Sequence, residues 1–310
     1  MSDAPAIMVT NRYGRMINID FKHRVPRRTQ RPNRRHNGAA GMEKRNRRRP
    51  GAKRLLLLLA LPAAFLLFRT LFTAPVAPAV AALRQPFEGY ESHQPPMVPY
   101  RDTYPQIVWL DAGHGGRDTG TYVTLDGARI YEKDIALDIV LRVYEMFRQS
   151  ESGVKAFLTR ADDSHVRLAH RTNLWNDTAT MVAKADLVVS VHVDYYEGAT
   201  AQSVSGIQVN YYGSQAQNTG RVDITGGQFA QILQNHLVNE TGARDRNIRG
   251  DRGFTLLAES TMPAVIIETG FMSNSAELAK LLTEAYRMSI ARGIYEGIVE
   301  AFGFPGVVGV

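Results

Sequence analysis

The chain has 310 residues, a formal net charge of +7 and 44% apolar residues, enough for one sizeable core. It contains no cysteine, which excludes disulfide scaffolds, thiolate catalysis and Cys-ligated zinc. Residues 1–54 hold sixteen Lys and Arg against three acids, leaving twenty-one basic and twenty-seven acidic residues for the remainder, so the net positive charge says nothing about what a folded domain binds.

In chain order, residues 1–54 read as a disordered basic cytoplasmic arm. Runs such as Arg34-Arg35 and Arg47-Arg48-Arg49 also occur in nucleic-acid binders. A disordered topogenic arm lying on anionic lipid is the favoured account of them, and no nucleic acid is expected. Leu55 to Phe68 is an unbroken apolar run, and apolar character resumes after Arg69. One reading is a membrane anchor over 55–76, with Arg69 snorkelling to the interface. The other is the apolar core of a signal peptide cut near Ala77–Ala82. The long basic stretch before it favours the uncleaved anchor. The positive-inside rule then makes this a single-pass protein of the cell (inner) membrane, N-terminus cytoplasmic and the following domain outside. Residues 77–105 read as a Pro-rich linker and 304–310 as a tail.

From Gln106 onward, strand-like and helical runs alternate. Strands are expected at 106–110, 154–159, 186–192, 205–212, 254–258 and 263–268. Helices are expected at 132–149, 166–183, 226–241, 275–282 and 284–302, two of them with apolar residues at helical spacing: Ala136, Val140, Val143 and Phe147, then Tyr286, Ile290, Ile294 and Ile298. The pattern predicts a single α/β domain over 106–303, a mostly parallel central sheet flanked by helices on both faces.

Chemistry gathers in four strings at strand ends and one helix start. In Asp111-Ala112-Gly113-His114-Gly115-Gly116 the glycines permit a sharp turn after a buried strand. Asp111 is placed to fix the tautomer of His114; an incidental histidine in a βα turn is the plainer account. His192 ends a second strand with Asp194 two residues on, and is read alone as a hydrogen-bonded structural residue. Glu132 opens a helix, where a carboxylate commonly just caps. Glu268 ends the apolar Val265-Ile266-Ile267, where an ionised carboxylate is costly unless paired; a salt bridge, to Arg252 for example, is the structural alternative to general acid/base work. Ligands of open α/β sheets sit beyond the strands' carboxyl ends. Two histidines and a carboxylate delivered there can make a catalytic zinc site with an acid/base beside it.

Together with Leu158-Thr159-Arg160, Arg167-Leu168, Arg171-Thr172-Asn173, Ala185-Asp186-Leu187-Val188-Val189-Ser190 and Met262 through Asn274, these strings resemble the zinc-dependent N-acetylmuramoyl-L-alanine amidases of type 3, over about 107–303. The resemblance implies zinc ligands at His114, Glu132 and His192 and a catalytic carboxylate at Glu268. Asp111 and Asp194 would orient the histidines. The implied reaction hydrolyses the amide joining N-acetylmuramic acid to L-alanine in peptidoglycan. Val193-Asp194-Tyr195-Tyr196 departs from the family's usual residues after the second histidine, which bears on pocket shape. Tyr212 to Gly226 is too short for the inserted helix that blocks the site in some members, so no such plug is expected. An activator protein is left open, as are two rivals: another zinc peptidase on this scaffold, using Arg249 or Arg252 for a terminal carboxylate, and a membrane-tethered peptidoglycan-binding module.

Overall fold

A computed structural model describes residues 7–10, 16–19, 76–84, 106–176, 184–213, 222–250 and 253–303. Its frame is a six-stranded sheet in the order β6-β3-β7-β10-β8-β9. The strands are β3 (Gln106–Ala112), β6 (Val154–Leu158), β7 (Leu187–Asp194), β8 (Gln208–Tyr211), β9 (Arg249–Gly250) and β10 (Ala264–Phe271). β3 and β7 sit inside the sheet and are apolar on both faces, so Ile107 to Leu110 and Leu187 to Val189 are all buried. At the carboxyl edge the chain becomes half-exposed, at His192 and Asp194 in β7 and at His114 two residues beyond β3.

The sheet is mixed, which corrects the expectation of a mostly parallel one. β6, β3, β7 and β10 run parallel, but β8 runs antiparallel to β10. Parallel neighbours need a long crossover. Between β7 and β8 the chain makes one 3₁₀ turn at Ala201–Ser203 and re-enters at the same edge, so β8 must run back. A second correction concerns 254–258, expected as a strand. It is the short helix α5 (Thr255–Glu259), which buries Leu256 and Leu257 beneath the sheet.

Helices cover both faces. On one, α3 (Leu168–Asn176) and α5 join a cluster in which Trp109, Phe157 and Trp175 meet Ile107, Val188, Met262 and Ile266. On the other lie α2 (Glu132–Gln149), α4 (Gly226–Thr241) and α7 (Glu284–Ala301). α4 and α7 approach closely because α7 presents glycine: a Cβ at Gly297 would lie 2.8 Å from Leu233 Cδ2. α4 starts on a capping box, Thr225 with Gln228, and ends on Gly242 in the left-handed conformation. α6 (Ser275–Leu281) follows β10 and is capped by Asn274.

A second, antiparallel sheet has the order β2-β1-β4-β5, from β1 (Ile7–Thr10), β2 (Met16–Ile19), β4 (Tyr122–Leu125) and β5 (Ala128–Tyr131). The arm over 1–54, expected to be disordered, therefore contributes two paired strands, with β1 set against β4. The β4–β5 hairpin turns on Asp126 and Gly127, both at positive φ (50° and 77°).

The expected membrane span is also corrected. Among the described residues no helix is long and apolar enough to cross a membrane. Of the span placed at 55–76 only Val76 is described, and there it begins α1 (Val76–Leu83). Eight residues of helix rise about 12 Å, well short of the roughly 30 Å of a bilayer core. α1 packs on β5 and α2, burying Val80 and Leu83, and Arg84 Nε donates to Asp134 Oδ2 at 2.9 Å. No described helix supports the single-pass inner-membrane placement built on that span. Of the stretch 212–226, residues 214–221 lie outside the described residues, as do Arg252 and the tail.

Candidate active site

Four segments converge at the carboxyl edge of β3, β7 and β10. The first follows β3, where Gly113 N–H still donates to Val191 O at 3.0 Å before the chain leaves the sheet. His114 then takes φ 60°, unusual for a residue with a side chain. Buried cations hold this turn. Arg160 Nε donates to Ala112 O at 3.0 Å, and its Nη2 donates to both Gly113 O and Lys133 O at 2.9 Å. Arg171 donates to Ala112 O at 2.7 Å and to His114 O. Lys133 Nζ reaches Gly116 O at 2.9 Å and the Asp163 carboxylate at 2.5 Å.

The second segment is the start of α2. Its leading N–H groups are satisfied by the preceding turn, Glu132 N–H to Thr121 O at 2.9 Å and Lys133 N–H to Thr119 O at 3.4 Å. Glu132 is therefore not needed as a cap, and its carboxylate turns inward. Oε2 accepts Thr121 N–H at 2.9 Å and Oε1 accepts Val193 N–H at 3.2 Å. Oε1 also meets both imidazoles, His114 Nε2 at 3.2 Å and His192 Nδ1 at 3.0 Å. One ligand atom from each of His114, Glu132 and His192 lies within 4.8 Å of the others, so the three could hold a metal ion.

Asp118 Oδ1 lies 2.9 Å from His114 Nδ1. An ionised carboxylate only accepts, so the proton sits on Nδ1 and Nε2 faces the cluster. The carboxylate bonded to the His114 ring is therefore that of Asp118 and not, as expected, that of Asp111. Asp111 instead accepts from Thr159 Oγ1 and Ser190 Oγ, both at 2.6 Å, and from Arg171, tying β3, β6, β7 and α3 together. Burial acts to raise its pKa, but Arg171 and the two hydroxyls hold it below the usual carboxylate range. Asp194 accepts Tyr195 N–H at 2.7 Å, and its carbonyl accepts Met272 N–H at 2.9 Å. Its charge bears on Glu268, while His192 Nδ1 is taken by Glu132.

Glu268 pairs in register with His192 across β7 and β10. No arginine neutralises it among the described residues, and its Oε2 is shut off from solvent without a hydrogen-bond partner. Burial first, then the charges of Asp194 and Glu132, push its pKa well above the ordinary carboxylate value, against the pull of His114. Glu132 behaves in the opposite way. Burial acts to raise it, but His114 and His192 outweigh that and keep it ionised. The other side of that balance is His114, raised to about 10 by Glu132 and Asp118 although burial opposes it. The His114 hydrogen bond takes Asp118 down to about 2.

Glycines make room for the cluster. A Cβ on Gly113 would sit 2.4 Å from His192 Cε1, and one on Gly120 2.5 Å from Glu132 Oε2. Two further histidines do other work: His165 reaches Gly115 O at 3.3 Å, and His236 bridges Glu296 and Glu300 on α7.

The sequence profile of N-acetylmuramoyl-L-alanine amidase matches residues 108–300, which contain every residue of this cluster. The chain belongs to that family. A germination-specific N-acetylmuramoyl-L-alanine amidase of Bacillus subtilis is 28% identical over 234 residues, 71% of this chain and 88% of the relative. The crystal structure of an N-acetylmuramoyl-L-alanine amidase from Clostridium difficile 630 superposes with TM-score 0.55 at 29% identity, covering 65% of this chain and 98% of that one. The CwlD amidase from Clostridioides difficile, solved in complex with the GerS lipoprotein, gives TM-score 0.54 at 28% identity over 64% of this chain and 98% of that one. This chain is thus a cell-wall amidase, a hydrolase.

Proposed function

We propose that this amidase hydrolyses the bond between N-acetylmuramic acid and L-alanine of peptidoglycan with a zinc ion held by His114, Glu132 and His192 and with Glu268 as the group that moves the proton. The observation that carries the proposal is the shared Glu132 Oε1, which has an imidazole nitrogen at 3.2 Å on one side and at 3.0 Å on the other. Two imidazoles and one carboxylate suit zinc, and a cysteine-free chain has no softer set to offer. Glu268, a buried carboxylate with an unpaired oxygen at the same edge, fits a neighbouring positive charge and a proton to exchange. When bound, zinc acidifies a water and polarises the scissile carbonyl.

Around it the chain's own residues divide the work. Glu268, its pKa raised well above the ordinary carboxylate value by burial and then by Asp194 and Glu132, accepts the proton of the attacking water and returns it to the departing alanine nitrogen. Asp118 holds His114 in one tautomer. Thr121 and Val193 N–H groups hold the Glu132 carboxylate in plane. Arg160 and Arg171 keep the His114 turn in place. Residues 106–303 form the catalytic unit in this reading.

The test is digestion of purified peptidoglycan by the full chain, untreated, stripped by chelator, and restored with zinc. Mass spectrometry of the products identifies the bond. Release of peptides with a free alanine amine, lost on stripping and recovered with zinc, is expected. Cleavage within the peptide instead would mark a peptidase.

A further inference from the structure

Arg246 carries a guanidinium that the fold leaves almost unused, at the sheet edge where Glu268 stands. The loop between α4 and β9 is fixed by main-chain bonds: Arg246 N–H donates to Ile207 O at 3.1 Å, and Ile207 N–H donates to Arg244 O at 3.0 Å. Gln208 Nε2 donates to Arg246 O at 3.2 Å, and Gln208 is itself the register partner of Glu268. The guanidinium carbon lies 4.7 Å from the centroid of the Phe271 ring, on β10 just beyond Glu268. Arg246 is thus set beside the reacting edge on its β8 side.

Its donors find little protein. Nη1 reaches Ser205 O at 3.4 Å, a long contact, and Nε is shut off from water with no acceptor. Neighbouring Asp245 spends its Oδ1 on Gln234 Nε2 and Asn247 N–H, both at 2.7 Å. Among the described residues no carboxylate pairs with Arg246. Arg160 and Arg171, close to the same site, contrast sharply: each is surrounded by carbonyl or carboxylate acceptors. A half-buried cation left unmatched on the β8 side of the edge that carries Glu268 points to an acceptor brought by the substrate.

We propose that Arg246 binds a carboxylate on the peptide portion of the substrate, which rests on the amidase reading above. In that substrate the lactyl carboxyl of N-acetylmuramic acid is consumed in the scissile amide, so the free carboxylates lie on the peptide. With its guanidinium carbon held over the Phe271 ring, Arg246 keeps its two Nη groups for paired hydrogen bonds to a carboxylate. Arg246 therefore defines the peptide side of the site, toward β8, and selects substrates whose peptide keeps its charge there. An amidated peptide offers one oxygen and a competing N–H donor in place of two oxygens, and binds less well.

The experiment measures kcat/KM of the full chain on a muramyl peptide with free peptide carboxylates and on the same compound with those carboxylates amidated. The unsubstituted protein is expected to prefer the free form by roughly tenfold or more. Arg246→Gln should abolish the preference by raising KM for the free form alone, and Arg246→Lys should keep part of it. Equal rates of the unsubstituted protein on both compounds overturn the proposal. So does a preference that survives in Arg246→Gln, or a loss in that variant that is equal on both compounds. All three leave the amidase reading standing. Failure of the unsubstituted protein to cut either compound at the muramyl–alanine bond sinks that reading and takes this one with it.

Discussion

Glu268 and His192 are register partners on neighbouring parallel strands, so their side chains rise together at one level of the sheet. Sheet geometry thereby puts an imidazole of the metal cluster beside the carboxylate proposed to move the proton. Neither side chain depends on a flexible loop for its position.

Glu268→Gln keeps the size of the side chain and removes its proton chemistry. Turnover on peptidoglycan should fall by about 10²- to 10⁴-fold. Zinc content, measured by elemental analysis, should stay at the unsubstituted level because Glu268 lies outside the ligand set. Near-normal turnover would remove Glu268 from the mechanism.

The pH profile follows from the same residue. A base works only when ionised, and the Glu268 pKa is raised well above the ordinary carboxylate value. kcat/KM should therefore drop on the acid side at a pH above that ordinary range. An acid limb that survives unchanged in the residual activity of Glu268→Gln would assign it to another group.

Metal and proton compete at His114. In the stripped protein its pKa is raised from 6.5 to about 10 by Glu132 and Asp118, against burial, so near neutral pH the metal must displace a proton. Apparent zinc affinity should rise by about tenfold per pH unit below that value, read by competition with a chromophoric chelator. The sign for folding is the reverse. The raised pKa stabilises the stripped protein fully below about 6.5, and that contribution is lost as pH climbs through about 10. A zinc affinity indifferent to pH would contradict this picture of the cluster.

Gly113→Ala would set a methyl 2.4 Å from the His192 ring. The ring has to move, and zinc affinity should weaken by about 10- to 100-fold, the scale of a disturbed ligand support. Far-ultraviolet circular dichroism should not change. Unaltered zinc binding would show that the ring has another place to go.

Arg160→Gln removes the donor shared by Gly113 O and Lys133 O together with the bond to Ala112 O. Leaving buried acceptors without partners should cost about 3 kcal/mol or more in urea denaturation. A loss below about 1 kcal/mol would mean that water replaces the guanidinium.

Much of this was legible in the sequence because chemistry and periodicity agreed. α2 and α4 fall on their expected bounds, since Glu132 and Thr225-Gly226 mark the starts and apolar spacing carries the rest. The two strands bearing Asp111 and His192 are apolar on both faces, which only a central strand explains. Sheet direction was not legible. Nothing in Gln208–Tyr211 encodes which way β8 runs; the missing crossover decides it. The β4–β5 hairpin went unread although Asp126-Gly127 is a strong hairpin signal. Asp118 was overshadowed by Asp111, which is nearer in sequence but faces Arg171. Arg246 lacked any local signal, because its environment is assembled from Phe271, Ser205 and Ile207 on other segments.

At the head of α2, Glu132, Lys133 and Asp134 commit consecutive side chains to different neighbours: the two imidazoles, Asp163 and Arg84. Each residue points about 100° around the helix from the last, so the turn is latched from three directions and cannot slip in register to relieve any one of them. Fraying there would release all three together. The first turn of α2 is thus the place where the enzyme can be disarmed with its sheet still standing.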